Sequence, residues 1–101
     1  MDRRLKLHEV LCETLGSRNV YYQPPNGLVM KYPAIVYKRE EIKNTYADGG
    51  VYRKDTGYMA TVIDKNPDSE IVQRMSELPF CRYVRHYAAD NLNHDVFIIY
   101  Y

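Results

Sequence analysis

Tryptophan is absent from this chain of 101 residues, and phenylalanine and cysteine occur only twice each, against eleven tyrosines. The two cysteines, Cys12 and Cys81, lie far apart in sequence. They are too few for the disulfide framework of a small secreted domain and are expected as free thiols in a reducing compartment. No apolar run approaches the roughly 20 residues that cross a bilayer, and MDRRLKLHE at the start lacks the unbroken apolar segment of a secretory signal. The expectation is manufacture in the cytosol and no membrane partner. An excess of charge is missing as well, since 14 basic and 13 acidic residues leave a formal net charge of +1. A surface that tracks phosphates needs a stronger electrostatic footprint than that. Neither an internal repeat nor a low-complexity tract is visible, and the length suits one domain with a modest core.

Catalytic motifs are missing too. There is no GxGxxG, no P-loop lysine pattern and no GxSxG, and Ser17, Ser69, Ser76, Cys12 and Cys81 have no base or orienting group marked beside them. The closing stretch RHYAADNLNHDVFIIYY holds His86, His94, Asp90 and Asp95, residue types that could hold a metal or move a proton. Zinc would need three or four such ligands to converge. On an 80–87 strand, Cys81 and His86 are five residues apart and are expected on opposite faces unless a bulge intervenes. His94 and Asp95 are adjacent and diverge likewise, and Asp90, Asn91 and Asn93 have the composition of a turn. No catalytic residue, cofactor or metal site is assigned. Asp64 and Asp68 flank a strand-to-helix turn, where capping accounts for them.

What the chain does have is tyrosine, a broad ring with a polar tip that suits strands and also surfaces buried on assembly. Residues 3–15 form an expected amphipathic helix with Leu7, Val10, Leu11, Thr14 and Leu15 on one face, Asp2 as N-cap and Gly16 as stop. Val20–Gln23 and Tyr32–Lys38 are expected strands, read as a hairpin with a wide loop around Pro24-Pro25-Asn26-Gly27. The polar middle, residues 39–57, is expected as a protruding loop or ragged hairpin that turns at Asp48-Gly49-Gly50. Tyr58–Asp64 is a central strand with two largely apolar faces. Asn66-Pro67-Asp68-Ser69-Glu70 starts a second helix with Ile71, Val72, Met75 and Leu78 on its buried stripe, and Pro79 ends it. Two final strands, 80–87 and 95–101, complete an α+β single domain: a mixed, mainly antiparallel sheet of four to five strands with two helices packed on it.

The ordered set YPAIVY (32–37), YADGGVYRK (46–54), GYMATVIDKNPDSEI (57–71) and LPFCRYVRHYAADNLNHDVFIIYY (78–101) resembles the tail-terminator, or tail-completion, proteins of long-tailed bacteriophages and prophages, also described as minor capsid or head-tail joining proteins. The likeness covers residues 30–101, and the first helix agrees in kind. It implies a structural protein of the virion, not an enzyme, built as a homo-oligomeric ring, usually of six subunits. Such a ring sits on the head-proximal end of the tail tube, ends tube polymerisation and offers a face to the head-completion or connector protein. DNA passes through its lumen without sequence readout. A two-faced sheet and a polar projecting segment suit a heterologous ring contact. Tyr46, Asp48, Tyr52, Arg53 and Lys54 are the candidate contacts of the polar segment, with a plain solvated loop as the alternative, and Phe97, Ile99 and Tyr101 those of the last strand, which could extend or cover a neighbour's sheet or, for half of it, pack in the chain's own core. The alternatives are a neighbouring head-tail connector component and a small ferredoxin-like enzyme or nucleic-acid module.

Overall fold

Leu7, Leu11 and Leu15 recur every four residues, and with Cys12 they are the buried residues of helix α1 (Arg3–Leu15). Val10 and Thr14, expected on the same stripe, are only half-buried. Gly16 ends the helix in the left-handed region at φ +86° and donates its N–H to the carbonyl of Cys12 at 2.8 Å. The computed structural model describes residues 3–47 and 50–101, with the side chains of 3–40 and 56–101. Asp2 therefore lies outside the described residues.

Five strands follow: β1 (Val20–Tyr22), β2 (Ala34–Ala47), β3 (Gly50–Asp64), β4 (Cys81–Ala89) and β5 (Leu92–Tyr100), with helix α2 (Glu70–Ser76) between β3 and β4. They form one mixed sheet in the order β1-β2-β3-β5-β4. The chain is thus a small single α+β domain with two helices and a five-stranded mixed sheet.

The expected hairpin between β1 and β2 is not formed. The two strands run parallel, with Val20 opposite Ile35 and Tyr22 opposite Tyr37. Gln23, at φ +44°, turns the chain out of β1, and the long connection that follows brings it back to the same end of the sheet.

Residues 39–57 are mostly paired backbone. β2 and β3 continue as an antiparallel ladder from Ala34 opposite Ile63 out to Ala47 opposite Gly50, with register shifts at Arg39/Glu41 and Thr45/Tyr46. β5 pairs with β3 only over Gly57–Asp64, so beyond Thr56 the two strands, among the described residues, pair only with each other. The six β3 residues of this arm, Gly50–Asp55, span about 20 Å, in keeping with extents of 51 × 24 × 22 Å for the whole chain.

Helix α2 begins later than Asn66. The Asn66 side chain accepts the N–H of Asp68 at 3.0 Å to close a turn, and Ser69, in extended conformation, caps the helix by accepting the N–H of Ile71 at 3.3 Å. At the other side, Asp90 and Asn91 sit at φ +53° and +63° between Ala89 and its partner Leu92, the geometry of a two-residue hairpin turn whose twist matches the strands.

Cross-strand partners share a face, so the ladders sort the side chains into two sets. Ile35, Tyr37, Tyr58, Ala60, Val62, Phe97 and Ile99 form one apolar face, and both helices cover it with Leu7, Leu11, Leu15, Ile71 and Met75. Burying a large aliphatic or aromatic side chain contributes about 1.5–3 kcal/mol, which makes this face the main source of stability. On the opposite face Ala34, Ile63 and Val96 are buried, Val36, Met59, Thr61 and Ile98 are half-buried, and Lys38, Arg82, Tyr87 and Tyr100 are exposed. Neither helix covers that side.

Candidate interaction surface

β4 buries almost nothing. Cys81 is half-buried and every other residue of CRYVRHYAA is exposed, with Tyr83 and Val84 each at 44% and Tyr87 at 42%. β4 pairs with β5 alone and forms the sheet edge. By contrast β5, flanked by β3 and β4, holds Asp95, Val96, Phe97 and Ile99 in the interior.

That placement corrects the reading of the last strand. Phe97 and Ile99 have no exposed surface and belong to the chain's own core. An internal strand has both its hydrogen-bonding edges occupied and cannot extend a neighbour's sheet. Tyr101 is half-buried and packs edge-on against Phe80 at 5.1 Å. Of the polar-segment candidates, Asp48 lies outside the described residues, as do the side chains of Tyr46, Tyr52, Arg53 and Lys54. Their backbone lies in the ribbon, with Thr45 opposite Arg53 and Tyr46 opposite Val51.

The histidines of the closing stretch separate. His86 pairs with Asp95 on the helix-bearing side and His94 with Tyr87 on the other. His86 Nε2 meets Asn93 Oδ1 at 3.1 Å, and the His94 ring stacks on Tyr87 at 4.7 Å and 10°. The expectation that Cys81 and His86 face opposite ways fails, because a register shift between Tyr83 and Arg85 inserts Val84 and restores them to one face. Their partners Ile99 and Asp95 are four residues apart, about 13 Å along a strand, so the two side chains cannot meet at one ion. Among the described residues, no group of three or more His, Cys, Asp or Glu side chains is placed to hold a metal ion. Burial pushes the Cys81 thiol up to about 12 and raises that of Cys12 as well, the opposite of an activated nucleophile.

Asp95, at 8% exposure, accepts the Tyr83 hydroxyl at 2.9 Å, and the Tyr83 ring meets Phe97 edge-on at 5.3 Å. A second polar group lies under α1. His8 Nδ1 is 2.8 Å from the hydroxyl of fully buried Tyr37, and Arg4 Nη1 donates to the same oxygen at 3.3 Å. Arg4 also lies 4.3 Å over the Tyr22 ring, which packs on Tyr37 at 4.9 Å. His8 is half-buried at the edge of the α1 stripe, and its long-range partner Tyr37 has no local signal in the sequence. An open cleft of about 520 Å³, lined by Gln23, Pro24, Val36, Lys38, Met59 and Thr61 among others, runs along the face without helices. Beside it Lys38 forms an ion pair with Glu40 at 3.2 Å.

No protein-family model matches the chain, and no curated protein matches it.

Proposed function

We propose that this protein is a structural virion assembly protein that forms a ring on the head-proximal end of a phage tail tube, ends tube polymerisation and joins tail to head. The sequence resemblance over residues 30–101 supplies the identity of the assembly. One structural observation supports it: among the described residues, the β2–β3 ribbon beyond Thr56 pairs only with itself. A two-stranded ribbon alone is marginal in water, so a projection of this kind is suited to packing on a neighbouring subunit or on the tube. A heterologous contact of that sort generates a closed ring when the rotation closes. The partners in this reading are sister subunits, the tail tube protein and the head-completion protein, with DNA passing through the lumen, and the site of action is the virion.

Mass photometry of the purified protein, alone and mixed with tail tubes, tests the reading. A discrete oligomer several times the 11.9 kDa chain mass is expected, or a bound ring on the tubes. Only monomer under both conditions overturns it, and binding to portal instead of tube moves the protein to the connector.

A further inference from the structure

We propose that the outer edge of β4 accepts an extended, acidic segment of a partner polypeptide as a sixth strand of the sheet. The edge is open and geometrically ready. Tyr100 donates its N–H to the carbonyl of Phe80 at 3.1 Å, and Arg82 and Arg85 sit opposite Ile98 and Val96. Alternation along this ladder turns the main-chain groups of Tyr83, His86 and Ala88 away from β5. β4 is nine residues long and has no proline or lysine to blunt its edge, and the bulge at Val84 leaves Arg85–Ala89 as its longer regular stretch.

Charge selects the occupant. β4 carries Arg82, Arg85 and His86 and no acidic residue. Among the described residues, Arg85 lies 5.7 Å over the Tyr87 ring, and neither Arg82 nor Arg85 has a carboxylate partner. Two β4 edges set side by side would bring like charges together, which is unfavourable for directly opposed residues. A second copy of this edge is therefore a poor occupant, and glutamates or aspartates alternating along an incoming strand are a good one. Nucleic acid fits less well, because a row of alternating N–H and C=O groups is matched by another polypeptide backbone. Exposed Tyr83, Val84 and Tyr87 would supply the apolar contacts. This reasoning rests on β4 alone and does not depend on ring formation.

The test uses the full chain and synthetic nine-residue peptides with blocked termini, alternating glutamate with valine and threonine, at up to millimolar concentration. Amide hydrogen exchange and NMR shifts are the readouts. The acidic peptide is expected to slow exchange at Tyr83, His86 and Ala88 by about tenfold or more. The same peptide with alternate amides N-methylated, and a lysine analogue, are expected to leave them unchanged. The double variant R82E/R85E, at exposed positions, is expected to reverse the preference towards the lysine peptide. Unaltered β4 exchange with the acidic peptide overturns the proposal, as does equal binding of the N-methylated peptide, which would show charge attraction without strand pairing. Stronger protection by a thymidine nonamer than by the peptide also overturns it. Oligomer mass measured on the unaltered chain separates the two claims, since absent protection by the acidic peptide with ring mass retained overturns the edge alone.

Discussion

The hydroxyl of Tyr37 lies between His8 and Arg4, 2.8 Å from His8 Nδ1 and 3.3 Å from Arg4 Nη1. Arginine can only donate, so the phenol oxygen accepts from Arg4 and its own proton goes to His8 Nδ1. The bond joins the first helix to the second strand and requires a neutral imidazole. Burial first, and then the charges of Arg4 and Arg18, hold the His8 pKa below its ordinary value, with Glu9 acting the other way. A depressed basic group stabilises the fold above the unfolded pKa, near 6.5, and that contribution is lost as pH falls through the folded value. Stability to urea is therefore expected to drop between pH 7.5 and 5. His8→Gln, whose amide oxygen can still accept from Tyr37, should show a smaller drop, and an equal drop in both proteins would exclude His8 as the source.

Phe97 and Val84 lie on neighbouring strands and should respond in opposite ways to substitution. Phe97 is completely buried, and Phe97→Ala is expected to cost about 3–5 kcal/mol through lost burial and a cavity. Val84→Thr removes no core contact and should change the stability of the monomer by less than about 0.5 kcal/mol. Urea denaturation of the two variants checks this, and a small loss for Phe97→Ala would return that side chain to the surface role first expected of it.

The Tyr83 phenol is raised above its ordinary pKa by burial, then by the hydrogen bond to Asp95 and that carboxylate's charge. Since the protonated phenol is the stabilising form, its contribution persists through neutral pH and is lost as pH rises past about 10. Ultraviolet titration should show a late-ionising fraction to which buried Tyr37 also contributes, and Tyr83→Phe should reduce that fraction by one tyrosine. The variant should also cost about 1 kcal/mol, a charged hydrogen bond discounted for the exposure of its donor.

Thiol chemistry offers a further check. With Cys81 raised to about 12, its thiolate fraction at pH 8 is about one in ten thousand. Ellman's reagent should react slowly with the native protein at that pH and quickly with both thiols in denaturant. A fast native phase removed by Cys81→Ser would contradict the placement.

Much of this architecture can be read from residue patterns, and the exceptions have physical causes. The leucine spacing in residues 3–15, the alternation of Tyr58–Asp64 and the turn chemistry at Asp90-Asn91 are local signals that survive packing. The polar run 39–57 lacks alternation, yet main-chain bonds alone can hold a ribbon, so its strands left no apolar trace. The direction of β1 depends on where a long connection returns the chain, which the Pro24–Gly27 breakers leave open. In the last strand, Phe97 and Ile99 alternate with Val96 and Ile98, so both faces look sticky. Apolar content does not distinguish a central strand from an edge. The Val84 insertion, set by tertiary pairing, moved His86 onto the face of Cys81.

Electron microscopy of tail tubes incubated with gold-labelled protein tests the ring proposal most directly. Label confined to one end of each tube, with tube growth arrested there, is the expected result. Label absent from tube ends, or spread along their length with growth unaffected, would contradict it.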